Sequence, residues 1–206
     1  MIKGDDRHLI AILRGITPEE AVAVGEALVR AGILSIEVPL NSPQPIDSIR
    51  AAAKALEGRA SVGAGTVLSE DEVDAVAAVR GTFIVSPDCN EAVIARTRAR
   101  GLRSYPGVFS PTEAFRAIKA GAHCLKFFPA EILGTAGIKA MKAVLPPEMP
   151  IYAVGGANPD NFAEFLAAGC TGFGIGSYLY KPGMTVAEVA ARAHALVAAY
   201  DRARSR

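Results

Sequence analysis

The sequence predicts a single α/β domain, a (β/α)8 barrel of the TIM-barrel type, spanning residues 1–206. Short apolar runs alternate with amphipathic stretches along the chain, and this alternation builds a parallel sheet covered by helices. We count eight such β-then-α units, the number that closes a sheet into a barrel. An Ala-Gly pair recurs at predicted helix ends, which indicates one βα unit used repeatedly.

The eight predicted strands are short and partly β-branched, as expected for strands that are buried on both faces of a sheet. In chain order they cover residues 9–13, 35–38, 60–64, 82–85, 103–105, 124–128, 151–154 and 172–175. No linker, low-complexity segment or second domain interrupts the series.

The predicted helices begin and end at recognisable signals. Thr17, Ser69 and Ser110 precede acidic first turns, which is the usual N-terminal cap pattern, and glycines such as Gly32 follow the last turns. The alternative fold is an open doubly wound sheet, which carries a glycine-rich dinucleotide-binding loop after its first strand. Here residues 14–17 read Arg-Gly-Ile-Thr, which does not match such a loop.

Composition and charge argue against several classes of function. The chain has a formal net charge of +1, so nothing favours nucleic acid or an acidic membrane surface as a partner. No apolar run approaches the roughly 18 residues of a membrane span, and the charged start at 1–7 does not match a signal peptide. Three scattered cysteines predict no disulfide framework, and Arg202, Arg204 and Arg206 predict a solvated end. We therefore expect a cytoplasmic protein that binds neither nucleic acid nor membrane.

Candidate functional residues follow from the barrel, because the chemistry of such barrels lies at the carboxyl ends of the strands. At those positions the sequence places Arg14, Glu37, Thr66 and Lys126. A guanidinium, a carboxyl group, a hydroxyl and an amine are therefore predicted to face one mouth.

Lys126 lies in the apolar run Leu-Lys-Phe-Phe-Pro at 125–129, at the predicted end of a buried strand. Burial disfavours an ammonium ion, so such a site lowers the lysine pKa and leaves a nucleophilic amine that attacks carbonyl carbons. The alternative is an ordinary lysine whose stem packs while its ammonium group reaches water. This segment alone does not decide between them.

Glu37 and Arg14 each have a functional and a structural interpretation. Within the strand sequence Ser-Ile-Glu-Val-Pro at 35–39, Glu37 is either a general acid or base, or an ion-pair partner of Arg14 or Lys126. The planar guanidinium of Arg14 suits a substrate carboxylate, with a structural pair to Glu37 as the alternative.

The glycine turns after the last two strands predict a phosphate site. Backbone amides of Gly155, Gly156, Gly176 and Ser177, with a helix start behind them, form the usual phosphate cup of this fold. Tight turns without a ligand are the alternative interpretation.

Metal chemistry has little support in the sequence. His8, His123 and His194 are dispersed and form no ligand pair at the usual spacings, so we expect no metal and no other cofactor. A Ser/His/Asp triad also lacks a suitable histidine.

Four segments together resemble one enzyme family. They are Ile-Glu-Val at 36–38, Val-Gly-Ala-Gly-Thr-Val-Leu at 62–68, Leu-Lys-Phe-Phe-Pro-Ala-Glu at 125–131 and the glycine pair at 155–156. From about residue 9 to about residue 200, the chain resembles the KDPG/KHG aldolases, class I enzymes that cleave 2-keto-3-deoxy-6-phospho sugar acids through a Schiff base.

The resemblance implies a role for each candidate. Lys126 would form the Schiff base, Glu37 would transfer protons, and Arg14 would hold the substrate carboxylate. Thr66 would orient that carboxylate or a water molecule, and the glycine turns would hold the phosphate. The resemblance further implies a homotrimer that works in the cytoplasm without a metal, on a small phosphorylated keto acid.

Two markers favour the galactonate branch of this family over its gluconate branch. The gluconate branch carries an arginine shortly after the catalytic glutamate, whereas residues 39–43 contain none and Arg14 ends the first strand. That branch also has threonine before the glycine pair, where this chain has Val154, although residues 127–131 look more like the gluconate branch. The implied activity is cleavage of 2-dehydro-3-deoxy-6-phosphogalactonate to pyruvate and glyceraldehyde 3-phosphate. Use of the gluconate epimer, alone or as well, is the alternative.

Two interpretations outside the aldolases stay open. In a phosphosugar isomerase or epimerase, Glu37 would be the base and Lys126 only an electrostatic contact. A non-catalytic phosphosugar-binding barrel would use the phosphate cup without chemistry. Only an aldolase of this kind would be trapped as a covalent pyruvate adduct on Lys126.

Overall fold

Strands and helices alternate along almost the whole chain. In the computed structural model, which describes residues 7–205, the strands are β1 (Leu9–Ile12), β2 (Ser35–Pro39), β3 (Ser61–Gly65), β4 (Phe83–Val85), β5 (Arg103–Tyr105), β6 (Gly107–Val108), β7 (Leu125–Phe127), β8 (Ile151–Val154) and β9 (Gly172–Ile175). The helices are α1 (Pro18–Ala31), α2 (Pro45–Ala55), α3 (Glu70–Ala78), α4 (Glu91–Ala99), α5 (Pro111–Lys119), α6 (Ala130–Lys142), α7 (Phe162–Ala167) and α8 (Val186–Arg204). Residues 1–6 and Arg206 lie outside the described residues. The predictions for the charged start, for the basic end and for these parts of the domain therefore fall partly outside the structure.

The strands form one parallel sheet in the order β5-β4-β3-β2-β1-β9-β8-β7-β6. Its end strands, β5 and β6, are separated in the chain only by Pro106, so they are two halves of one barrel strand. The Lys126 N–H donates to the Pro106 carbonyl at 2.9 Å, which links the divided strand to β7 and closes the barrel. The predicted (β/α)8 barrel is confirmed. The structure has nine strand segments in place of eight, because proline has no N–H to donate across the sheet.

Side chains alternate between the barrel interior and the layer between barrel and helices. Ile10, Phe83, Val85, Tyr105 and Cys124 pack against one another inside the barrel. Apolar neighbours of these residues along the strands belong instead to the larger outer core, which is formed with the helices: Leu9, Ala11, Ile84 and Leu125. Successive residues of a strand face opposite sides, so this separation sets the facing of every strand residue.

The helices begin where the cap signals predict. The Ser69 hydroxyl accepts the Glu72 N–H at 3.3 Å, and the Ser110 hydroxyl accepts the Glu113 N–H at 3.4 Å. In both cases the glutamate carboxylate reaches back to the cap residue, so the capping box is complete. None of the helices within residues 7–205 combines the length and hydrophobicity that crossing a bilayer requires.

Candidate active site

The predicted site residues converge on one end of the barrel. Arg14 follows β1, Glu37 lies within β2 and Thr66 follows β3. Lys126 lies in β7, and the glycine pair 155–156 follows β8. Because the strands are all parallel, their carboxyl ends meet at the same rim.

Lys126 faces the barrel interior. Its neighbours Leu125 and Phe127 both belong to the outer core, so the lysine between them points the other way. Its side chain is 7% exposed, and Nζ lies 4.6 Å from the centroid of the Phe128 ring. The side chain is therefore largely enclosed by the barrel, unlike that of a snorkelling lysine, whose ammonium group lies in water.

The surroundings of Lys126 lower its pKa below the ordinary value. Burial is the largest cause, because it removes water from the ammonium form. The negative charge of Glu37 opposes this shift, and the positive charge of Arg14 adds to it. Asp88, in the loop after β4, is a second carboxylate that acts in the same direction as Glu37.

Glu37 is a second buried titratable group in the same interior. Its side chain is 3% exposed, and burial raises its pKa to about 6 against the opposing charges of Lys126 and Arg14. Glu37 forms no salt bridge with either cation, all three residues being within the described part of the chain. The ion-pair alternative for Glu37 is therefore not what the structure shows.

Gly65, at the end of β3, provides the space for the Glu37 carboxylate. A Cβ atom at residue 65 would lie 1.7 Å from Glu37 Oε1, far inside contact distance. Glycine is the residue that permits this close approach. The glycine-rich segment before Thr66 thus positions the carboxylate of the neighbouring strand.

Arg14 is exposed at the rim, where its guanidinium contacts the two neighbouring loops. Arg14 Nη1 donates to Asn41 Oδ1 at 2.5 Å, and Nη2 donates to Thr66 Oγ1 at 3.5 Å. Thr66 has a φ of 57°, a left-handed conformation that is unusual for a β-branched residue and that costs about 1–3 kcal/mol. The structural pairing of Arg14 with Glu37 is replaced by these two neutral partners.

The predicted phosphate cup lies across the mouth, after β8 and β9. Gly155 and Gly156 have φ values of 98° and 75°, which suit glycine. Within residues 7–205, the amides of Gly156 and Ser177 donate to no protein acceptor, which leaves both N–H groups for a ligand. Gly176 joins Ser177 to the end of β9.

The expectation of a helix start directly behind these turns is wrong. Helix α7 begins only at Phe162 and helix α8 only at Val186, so the amides of the cup belong to turns. The charges at this end come from side chains instead, two cationic (Lys181 and Arg192) and one anionic (Asp160). A cavity of about 700 Å³ opens here, lined by Gly156, Ala157, Asn158, Asp160, Ser177, Tyr178, Lys181 and Arg192.

Val154 stands between the lysine and the cup. It is 9% exposed at the end of β8, and its Cγ2 is near the position a Cβ of Gly174 would take on the neighbouring strand. In the sheet, β8 lies between β9 and β7, the strand that carries Lys126, so this apolar side chain is at the rim between them.

His8 and His123 lie just before β1 and β7, at the amino ends of those strands and so away from the mouth, and His194 lies on α8. His123 Nδ1 accepts the Ser104 N–H at 3.0 Å, just before β7 begins. Within residues 7–205, no three histidine, cysteine, aspartate or glutamate side chains are grouped so as to hold a metal ion.

Comparison with known proteins decides the family. The family model described as KDPG and KHG aldolase matches residues 4–196. The chain belongs to this family. The resemblance drawn from the sequence motifs is thereby confirmed.

Individual relatives in the family are similar over nearly the whole chain. A probable 2-dehydro-3-deoxy-6-phosphogalactonate aldolase of Rhizobium meliloti (strain 1021) is 51% identical over 95% of this chain and 92% of its own. The 2-dehydro-3-deoxy-6-phosphogalactonate aldolase of Escherichia coli (strain K12) is 48% identical over 95% of both chains. A solved structure described as native KDPGal is 47% identical, covers 96% of both chains and superposes with a TM-score of 0.95.

Several residues at the mouth of this aldolase were not predicted from the sequence. Asn41 lies two residues after the end of β2, as Arg14 lies two residues after the end of β1. A search of the residues just after each strand would therefore also have found Asn41, but its amide carries no charge to attract attention. Lys181 and Arg192 lie in the long loop after β9 and on α8. No sequence pattern predicts that these two residues lie near the cup, because their position depends on the three-dimensional fold.

Proposed function

We propose that this chain cleaves 2-dehydro-3-deoxy-6-phosphogalactonate to pyruvate and glyceraldehyde 3-phosphate through a Schiff base on Lys126. The observation that carries the proposal is the buried amine of Lys126 beside the buried carboxyl group of Glu37. The lowered lysine pKa favours the free amine, which is the form that attacks a ketone.

The first half of the reaction assembles an electron sink. The Lys126 amine adds to the C2 ketone of the substrate, and loss of water leaves a positively charged iminium ion. Glu37, directly or through a water molecule, takes the proton of the C4 hydroxyl. The C3–C4 bond then breaks, its electron pair moves to the iminium nitrogen, and glyceraldehyde 3-phosphate leaves.

The second half of the reaction releases pyruvate. Glu37 returns a proton to C3 of the enamine, which restores the iminium ion. Water adds to this ion, and pyruvate leaves with the Lys126 amine regenerated. A carboxyl group whose pKa is raised to about 6 suits both proton transfers near neutral pH.

The two charged ends of the substrate match the two sides of the mouth. Arg14 binds the carboxylate, and Thr66 orients that carboxylate or a water molecule. The turns of Gly155, Gly156, Gly176 and Ser177 bind the phosphate, supported by the unpaired amides and by the cations of the cavity.

The galactonate configuration is proposed on the identity of the relatives and on Val154. A valine at this position offers a methyl group where a threonine would offer a hydroxyl to the substrate. The alternative substrate is the gluconate epimer, cleaved alone or together with the galactonate form. Measuring the cleavage rate of each phosphorylated epimer distinguishes these possibilities.

We also propose a cytoplasmic homotrimer. Phe109, Phe115 and Ile132 are 42%, 45% and 71% exposed, and a partner subunit would cover such apolar surface. Sedimentation equilibrium at micromolar concentration is expected to give three times the mass of one chain, and the mass of a single chain would contradict the trimer.

Covalent trapping tests the proposed chemistry. Incubation with pyruvate and borohydride is expected to give one pyruvate-derived adduct by intact mass, mapped to Lys126 by peptide sequencing. Lys54→Ala, which removes a lysine on helix α2 away from the mouth, is expected to be trapped like the unmodified chain. An isomerase, an epimerase or a non-catalytic binding protein would give no adduct, and an adduct on another lysine would reject the assignment.

A further inference from the structure

Three loops at the barrel mouth are joined through polar contacts around Arg14. Besides the bonds of Arg14 to Asn41 and Thr66, the Gly15 N–H donates to the Ser42 hydroxyl at 2.9 Å. The Leu40 N–H donates to the Gly65 carbonyl at 2.8 Å. The loops after β1, β2 and β3 therefore hold one another in place.

A long, exposed arginine needs such support before it can bind a ligand well. A free arginine side chain loses rotamer entropy when it is fixed, and this loss weakens binding unless the fold has already fixed the side chain. Asn41 accepts from one terminal nitrogen of Arg14, Nη1, and Thr66 from the other, Nη2. Each terminal nitrogen carries two hydrogens and the Nε carries one, so donors are left over for a carboxylate.

The neutrality of both partners is the decisive feature. An aspartate at position 41 would hold the guanidinium equally well, but its negative charge would cancel the positive charge that attracts a carboxylate. The amide of Asn41 and the hydroxyl of Thr66 accept hydrogen bonds without cancelling that charge. The strained backbone of Thr66 fits the same arrangement, since its φ of 57° accompanies a hydroxyl within reach of Arg14.

We propose that Asn41 is a positioning residue that fixes Arg14 for the carboxylate of a 2-oxo acid and leaves the charge of Arg14 uncancelled. The inference rests on the proposed function, in which Arg14 binds the substrate carboxylate. Asn41 acts through Arg14 and takes no part in bond making at Lys126.

Two substitutions at residue 41 separate this role from a structural one. Asn41→Ala removes the support, and we expect KM and the pyruvate concentration for half-maximal trapping to rise about tenfold, with kcat within about twofold. Asn41→Asp keeps the shape and adds a competing charge, and we expect both quantities to rise about a hundredfold. A purely structural role predicts the opposite order, because the isosteric aspartate preserves the packing that alanine removes.

A matched control tests whether added charge alone is responsible. Gln44→Glu adds the same charge in the same loop at an exposed side chain that, among the described residues, forms no hydrogen bond with Arg14. We expect KM and the trapping concentration of this variant to stay within about twofold of the unmodified chain. An equal rise in Gln44→Glu and Asn41→Asp would overturn the inference.

The outcomes also distinguish this inference from the proposed function. Failure of the Schiff-base proposal would show as no adduct in the unmodified chain at any pyruvate concentration. Failure of the inference would leave the adduct intact, with half-maximal concentrations unchanged in both Asn41 variants or with alanine more harmful than aspartate.

Discussion

Burial moves the pKa values of Lys126 and Glu37 in opposite directions, and each moves towards neutral pH. A lysine in water is almost fully protonated at pH 7, and a glutamate is almost fully ionised. In the barrel the amine is more easily freed and the carboxyl group more easily protonated. The same loss of water therefore prepares a nucleophile and a proton carrier side by side.

Replacing Lys126 removes the group on which the proposed chemistry depends. We expect Lys126→Ala to lower the cleavage rate by several orders of magnitude and to abolish pyruvate trapping, because no other residue supplies the electron sink. Pyruvate release in a coupled assay measures the rate, and thermal unfolding checks that the barrel still folds. Substantial cleavage by a folded variant would reject the Schiff base.

Val154 is expected to influence which epimer is cleaved. Val154→Thr hardly changes the side-chain volume, but it offers a hydroxyl to a substrate hydroxyl at the end of β8. We expect the unmodified chain to cleave the galactonate epimer well and the variant to shift its preference towards the gluconate epimer. The ratio of kcat/KM for the two phosphorylated epimers measures this, and an unchanged ratio would mean that configuration is read elsewhere.

Among the elements, β3 leaves space for the Glu37 carboxylate through its glycine Gly65. We expect Gly65→Ala to displace the Glu37 carboxylate, because the added Cβ would overlap Oε1, and to lower the rate on the order of 10²–10⁴-fold. Gly58→Ala is the contrasting control. Its φ of 75° makes alanine costly to stability, about 1 kcal/mol, but it has open space around it and lies outside the mouth. Activity near normal in Gly65→Ala would show that Glu37 does not need this space.

Helix α8 contributes to the phosphate end through Arg192. Arg192 Nη1 donates to the Tyr178 carbonyl at 2.6 Å, beside the Ser177 turn. We expect Arg192→Gln to raise KM for the phosphorylated substrate about tenfold and to leave kcat/KM for the unphosphorylated analogue unchanged. Arg202→Gln, on the last turn of the same helix, is the charge-matched control. Equal losses on both substrates would assign Arg192 a structural role.

Strands and caps were predictable because their signals are local, whereas the details of the mouth depend on three-dimensional geometry. Arg14, Glu37 and Lys126 could be predicted to lie together, because the strands are parallel and their carboxyl ends meet at one rim. The interruption at Pro106 was not predicted, since the two residues of β6 carry no apolar run of their own. At the predicted phosphate site, the glycine turns were predictable because they follow strands directly. Lys181 and Arg192 were not, because they come from a later loop and from α8.

At the scale of the whole molecule, the buried carboxyl group of Glu37 makes the stability of the barrel depend on pH. Burial raises its pKa to about 6 from an ordinary value of 4.5, so the folded state holds this proton more tightly than the unfolded state. The stabilisation is complete below pH 4.5 and is lost as the pH rises through 6. A shift of this size corresponds to about 2 kcal/mol of the free energy of unfolding.

Glu37→Gln is therefore expected to weaken activity and to strengthen the fold at alkaline pH. The shape is kept and the base is lost, so the rate should fall on the order of 10²–10⁴-fold while pyruvate still reaches Lys126. Relative to the unmodified chain, the free energy of unfolding of the variant should gain about 2 kcal/mol between pH 4.5 and pH 8, because only the unmodified chain loses a proton there. Urea unfolding at both pH values measures this, at one fixed protein concentration because subunit association would also stabilise the fold. A stability difference that is the same at both pH values would mean that Glu37 is not held in a raised-pKa site.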